Sequence, residues 1–310
     1  MGTAASKYPF AVAYRIYPKI SKIPPAYPTD KYKLSELCLR SFVNSYGALR
    51  PKFYALLDKC PPEYEALFRK YIPAEDLEII RLTGIGNGGT FGLQVKLLLE
   101  QKFSETVYFA EDDYYYLPGA FPRMVSMVNS APDAHFVTPY DHLDYYNLEI
   151  HNQPREVRFV QGAHWQTVAT TCMTFMTTKA VLARAAETLL TYAKGNTDVG
   201  MWASLTKSRL DDFANAKSTR VQETLPYVMG AWQHCFKQIM YGEKYKLWSP
   251  MPTVATHMEN RFLSPGFDWD AIFNADIAAH PAFAGQPAAT AAPVPAVAPS
   301  APPESTLATA

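Results

Sequence analysis

Thr106-Val107-Tyr108-Phe109-Ala110-Glu111-Asp112-Asp113-Tyr114 is the stretch on which the reading of this chain turns. Its first part is β-branched and aromatic, as a buried strand requires, and three acids follow at the strand's carboxyl end. Consecutive carboxylates beside an apolar strand are costly to hold together unless a cation neutralises them. A hard divalent cation with oxygen ligands does this and leaves coordination positions open for substrate phosphates. Two acids alone would read as a solvated turn. The strand before them and the run Tyr114, Tyr115, Tyr116 behind them favour a metal–diphosphate site.

The preceding sequence alternates strand and helix signals. Residues 10–16 read as a first strand, and residues 34–46 as a helix with Leu34, Leu37, Cys38, Phe42 and Tyr46 along one face. Residues 51–58 form a second strand ending in Asp58, and Pro61 and Pro62 open a helix over 63–71. A third strand spans 77–82. After a glycine-rich turn, Thr90 caps a helix that carries Phe91, Val95, Leu98 and Leu99 on one stripe. Repeated β-α units imply a mostly parallel α/β sheet flanked by helices, with ligands outside the strands' carboxyl ends. Asp58 and the acids 111–113 sit at such ends.

Beyond residue 130 the pattern is mixed. Residues 134–138 and the threonine-rich 165–177 read as strands, 179–192 as a helix, and a further helix starts near Thr197-Asp198. The expected folded unit is 8–270, with a nucleotide-binding half to about 130 and an acceptor half over 131–270. The Ala/Pro-rich remainder, 271–310, reads as a disordered tail.

Lysine plus arginine and aspartate plus glutamate number 29 each, so the formal net charge is zero and nucleic acid is not an expected partner. Cys38, Cys60, Cys172 and Cys235 form no C-x-x-C pair, which fits reduced thiols in the cytoplasm. Neither a signal peptide nor a transmembrane segment is expected. Met1-Gly2-Thr3-Ala4-Ala5-Ser6 formally matches a myristoylation pattern and is read as chance, which leaves peripheral membrane association open.

One rival motif stands in the same region. Gly84-Ile85-Gly86-Asn87-Gly88-Gly89 matches the dinucleotide fingerprint between a strand and a helix, so an NAD-dependent oxidoreductase is an alternative. Two βα units precede it, whereas the fingerprint belongs to the first strand of its unit. The following strand also ends in three acids where a ribose needs one.

Taken in order, the first strand, the acid ending strand two, Glu111-Asp112-Asp113 and a late Asp opening a helix resemble the GT-A nucleotide-sugar-dependent glycosyltransferases, particularly the inverting family 2 type. The resemblance spans about 8–265. It implies Asp58 at the nucleotide base, Glu111 on the donor side, Asp112 toward the donor ribose, and Asp113 on a Mn2+ or Mg2+ ion bound to the diphosphate. Tyr14 and Arg15 would flank base and phosphates, with Gly86, Asn87 and Gly88 beside the nucleotide. The implied donor is a nucleoside-diphosphate sugar, with a UDP-sugar favoured, and the acceptor a glycan or other hydroxyl compound. Surface polysaccharide or glycan synthesis is the setting such an enzyme serves.

Such a transfer needs a carboxylate base on the acceptor side. In Asn196-Thr197-Asp198-Val199-Gly200-Met201-Trp202, Asp198 is placed as that base, although Thr197 and Asp198 also make an ordinary helix cap. The resemblance further puts His257 on the metal, Arg261 over the diphosphate, and His164, Trp165 and Trp202 at the acceptor. Each tryptophan reads equally well as core. The segment 141–158, rich in Tyr, His and Asn, matches no landmark and reads as a mobile acceptor loop. A retaining transferase, a sugar nucleotidylyltransferase and a non-catalytic carbohydrate-binding protein remain alternatives.

Overall fold

The computed structural model describes residues 7–148, 151–208, 210 and 219–280. The myristoylation pattern and most of the Ala/Pro-rich tail lie outside the described residues. Strands β1 (Ala11–Ile16), β2 (Lys52–Asp58), β3 (Leu77–Leu82) and β4 (Thr106–Glu111) run parallel. Helices α1 (Lys31–Ser45), α2 (Pro62–Tyr71) and α3 (Gly86–Glu100) connect them. Helix α3 begins before Thr90, whose hydroxyl instead donates to the Gly86 carbonyl inside the helix at 2.9 Å.

The chain then forms β5 (Tyr114–Tyr116), α4 (Ala120–Val128), β6 (Phe136–Val137), α5 (Asp144–Asn147), β7 (Val157–Val160), β8 (Ala163–Val168) and β9 (Phe175–Thr178). Helices α6 (Lys179–Leu189), α7 (Asp198–Thr206) and α8 (Thr219–Tyr241) precede β10 (Leu247–Met251), β11 (Ala255–His257) and α9 (Trp269–Ala278). Among the described residues one sheet has nine strands in the order β3-β2-β1-β4-β9-β6-β10-β8-β7, and β11 pairs with β5 in a second, two-stranded sheet. In the large sheet, β9 and β8 run against their neighbours. The fold is therefore mixed α/β on a mainly parallel sheet.

Alternation along the central strands divides the core in two. Phe10, Val12, Tyr14 and Ile16 join Phe53, Leu57 and Tyr108 in one cluster with α1, α2 and α4. Ala11 and Ala13 face Leu56, Phe109 and Phe91 in the other, with α3, α6 and α7. Arg15 continues that second face to the strand's end, where the helix cover stops.

The structure departs from two further sequence expectations. The single strand over 165–177 is two strands, β8 and β9, separated by an irregular stretch that holds Cys172 and Met173. The folded unit also runs past residue 270, because α9 buries Trp269, Phe273 and Ile277 against Leu34, Leu37 and Tyr115. No helix of the described residues is long and apolar enough to cross a membrane.

Candidate active site

The carboxyl ends of β1, β2 and β4 open into a cleft of about 420 Å³. Arg15, Lys31, Asp58, Glu111, Asp112, Asp113, Asp198 and His257 are among its lining residues, with Gly86 and Asn87 at the start of α3. The parallel register sets Arg15 directly opposite Glu111. Their side chains meet at 2.6 Å, and the other Glu111 oxygen accepts from the Thr174 hydroxyl at 3.0 Å. Arg15 also donates to the Asn87 carbonyl at 2.8 Å, so it braces α3 against β4.

The two aspartates behind Glu111 diverge. Asp112 accepts from the Lys31 ammonium at 2.7 Å and from the Tyr17 amide at 3.3 Å. Burial pushes its carboxyl up and Asp113 adds to this, while Lys31 pulls the other way. Asp113 Oδ2 lies 3.1 Å from His257 Nε2. Burial works to raise the Asp113 carboxyl, yet His257, Lys31 and Arg15 outweigh it and hold it below the usual range. Burial works to lower His257, and Asp113, Glu111 and Glu259 outweigh it in the opposite sense. The contact is built by β11, in which His257 pairs across from Tyr114 and the Met258 amide donates to the Asp113 carbonyl at 2.7 Å.

Asp113 Oδ1 is buried without a hydrogen-bond partner, an arrangement that costs free energy unless a cation or water meets it. Two ligands on adjacent octahedral positions of a divalent ion stand about 3 Å apart, so the Asp113–His257 pair fits such an ion. No three His, Cys, Asp or Glu side chains cluster as a complete ligand set among the described residues. An ion here would take its other ligands from water and substrate oxygens, as hard divalent ions commonly do.

Asp58 ends β2 with its carboxylate fully engaged by backbone. Oδ1 accepts from the Gly84 and Ile85 amides at 2.7 and 3.0 Å, and Oδ2 from the Gly86 amide at 2.9 Å. It thereby anchors the glycine turn and compensates the positive end of α3. This bears on the fingerprint motif, because the amides of Gly84, Ile85 and Gly86 already have an acceptor. A pyrophosphate bound at that turn would have to displace Asp58.

Asp198 is the first residue of α7, and the capping role falls to Thr197, whose hydroxyl accepts from the Gly200 amide at 2.9 Å. Asp198 Oδ1 accepts from the adjacent Val199 amide at 2.8 Å. Burial pushes its carboxyl above the usual range, aided by Glu111 and opposed by that amide. A half-buried carboxylate with a raised pKa facing a cleft is suited to accept a proton.

Several expected site residues lie elsewhere. Tyr14 is buried among Phe42, Phe53 and Phe68, because its position on β1 faces the covered side of the sheet. Trp165 and Trp202 are wholly buried core residues, their indoles donating to the carbonyls of Val160 and Cys172. His164 is exposed on β8 and beside Phe159, and Arg261 is exposed on a 3-10 turn; neither lines the cleft. Gly88 serves packing, since a Cβ there would come within 3.2 Å of the Ala193 backbone. The loop 141–158 is organised by α5 and by Asp141, which accepts from Tyr146 at 2.8 Å and Gln166 at 3.3 Å.

Sequence reasoning missed the cations that do line the cleft, Lys19, Lys22 and Lys31. One signal was available for Lys31. It stands in the first turn of α1, which contains no acid, where a cation opposes the helix dipole.

No protein-family model matches the chain, and no curated protein matches it. Among solved structures it is similar to a mannosyltransferase, PcManGT from Pyrobaculum calidifontis in complex with GDP-Man and Mn2+. That match has 12% identity and a TM-score of 0.39 over 74% of this chain and 71% of that one. The S. aureus TarS 1–349 structure matches at 11% identity and TM-score 0.37, over 74% of this chain and 81% of that chain. The galactosyltransferase LgtC, in complex with donor and acceptor sugar analogs, matches at 8% identity and TM-score 0.37 over 70% of both chains. Two of these three neighbours are named as sugar transferases. A likeness this remote records similarity alone, and the chemistry of the cleft rests on the chain's own residues.

Proposed function

We propose that this chain is a metal-dependent glycosyltransferase that moves a sugar from a nucleoside-diphosphate donor to a hydroxyl acceptor with inversion. The observation that carries the reading is the orphaned Asp113 Oδ1 beside His257 in a cleft that also holds Asp198. Asp113 and His257 would hold the ion. When bound, it would neutralise charge developing on the departing diphosphate.

The chain's own residues account for the remaining requirements. Asp198 takes the proton from the acceptor hydroxyl as that oxygen attacks the anomeric carbon. The bond from that carbon to the diphosphate oxygen breaks, and its electron pair leaves with the nucleoside diphosphate. Arg15, Glu111 and Asp58 hold the cleft wall rigid and do not touch the reacting atoms. Residues up to about 130 contribute the donor side, and Cys172, Met173 and Asp198 come from the acceptor half. A UDP-sugar donor, a glycan acceptor and a cytoplasmic role in polysaccharide or glycan synthesis complete the proposal.

Thermal melting with UDP, GDP, dTDP and NAD, each with and without Mn2+, tests the donor class. One nucleoside diphosphate should stabilise the chain more with Mn2+ present. Stabilisation by NAD with no manganese effect would replace this reading with the oxidoreductase one. NMR of the product's anomeric configuration tests inversion, and retention would remove Asp198 as base. Donor binding without turnover on any acceptor would leave a carbohydrate-binding protein.

A further inference from the structure

The loop between β1 and α1 supplies four lining residues of the cleft, Tyr17, Lys19, Ser21 and Lys22. Its first half is fastened at Tyr17 and at Ile23. The Tyr17 amide donates to Asp112 Oδ2 at 3.3 Å, and the Ile23 carbonyl accepts from the Asn260 amide at 3.0 Å. Between these anchors Lys22 Nζ lies 3.3 Å from Glu259 Oε2, while Lys19 is exposed and makes no ion pair among the described residues. The other lining cations are committed, Arg15 to Glu111 and Lys31 to Asp112. Arg261 lies outside the cleft.

We infer that this loop is the clamp for the donor's diphosphate, with Lys19 and Lys22 as its phosphate-binding cations. The inference rests on the donor reading above. The Asp113–His257 pair offers charge compensation on one wall only. A nucleoside diphosphate gains a negative charge as the sugar leaves, and oxygens turned away from the metal wall need cations of their own. Lysine suits that task because a compact ammonium on a flexible stem follows a phosphate oxygen through its rearrangement. Lys22 is half-exposed and free to turn from Glu259 to phosphate, while the largely buried Glu259 keeps His257 Nδ1 at 3.9 Å as its remaining cation. The bonds to Asp112 and Asn260 tie down the backbone on either side of Lys19 and Lys22, at Tyr17 and Ile23.

The test is calorimetric titration of the wild type and the Lys19→Ala/Lys22→Ala double variant with Mn2+. UDP, GDP and dTDP are compared first, and the tightest is then compared with its own monophosphate. The double variant should bind the diphosphate about 10–100-fold more weakly, with the monophosphate within about twofold of wild type. Trypsin should cut wild type after Lys19 and Lys22 more slowly once the diphosphate and Mn2+ are bound. Arg261→Ala should leave both affinities unchanged. Wild-type diphosphate affinity in the double variant would overturn the clamp and leave the donor reading standing. Equal weakening of mono- and diphosphate would also overturn it, by assigning the lysines to another part of the nucleotide. If the wild type binds none of the three, the donor reading fails and the clamp fails with it.

Discussion

Asp58 Oδ1 accepts a hydrogen bond from the Gly84 amide at 2.7 Å, tying the end of β2 to the turn that starts α3. The same carboxylate also holds the amides of Ile85 and Gly86. Asp58→Ala would strand three donors and remove the charge that offsets the helix dipole. Urea unfolding should show a loss of about 3 kcal/mol, with Asp58→Asn losing less because one acceptor oxygen remains. An unchanged midpoint for Asp58→Ala would mean the turn holds itself.

Asp113→Ala should remove the manganese-dependent part of nucleoside-diphosphate stabilisation. The metal-free melting temperature should fall as well, because the largely buried His257 loses its partner at 3.1 Å, so the increment is read against the variant's own metal-free value. A manganese increment that survives the substitution would move the ion to other residues.

Asp198 and Thr197 divide two roles that adjacent residues often share. Asp198→Asn should lower transfer roughly 10²–10⁴-fold with donor affinity nearly constant, because only proton acceptance is lost. Thr197→Ala should cost about 1 kcal/mol of stability through the lost Gly200 cap, with a smaller effect on transfer. Near-normal transfer by Asp198→Asn, measured on a saturated donor, would rule it out as the base.

Stability should depend on pH through buried groups of the 141–158 segment that pull in opposite directions. Burial raises the Asp141 carboxyl to about 6, against Tyr146, Arg155 and Gln166. Its contribution is therefore fully present below its unfolded value and is lost as pH rises through about 6. Burial lowers His151 to about 3, with His142 and Arg155 adding to this. Its contribution is present above its unfolded value near 6.5 and is lost as pH falls through that range. Between about pH 4 and 6 Asp141 opposes His151 and also His142, which burial lowers to about 4, and Asp141→Asn leaves both histidines without that opposition. Melting temperature should then fall more steeply with acidification in the variant than in wild type; parallel curves would contradict the Asp141 assignment.

The four parallel strands were legible because each carries an apolar run bounded by proline, glycine or an acid, and their predicted ends differ from the observed ones by at most a few residues. Helix and strand elements of the last third were hidden by local punctuation. Pro226 sits inside α8 and Pro250 inside β10, where proline argues against a helix or an interior strand. Asp113 and His257 could be placed by motif and resemblance, and the structure brings them together. Tyr14, Trp165 and Trp202 could not be separated from site residues, because a strand or helix pattern names a face without saying what covers it. Lys19 and Lys22 escaped notice for a different reason. Their loop lies over the cleft through a long-range bond from Asn260, which no local pattern encodes.

His257 follows Asp113 by 144 residues and reaches it only when β11 pairs with β5. On a ribosome adding about 5–20 residues per second, that separation is roughly 7–30 s of translation. The parallel strands and the acids at their ends emerge first, and their histidine arrives last. A nascent or prematurely terminated chain could thus build most of the sheet while lacking half of the Asp113–His257 pair. The Asp113–His257 contact therefore forms only after β11 has been made, and depends on nearly the whole of the described fold.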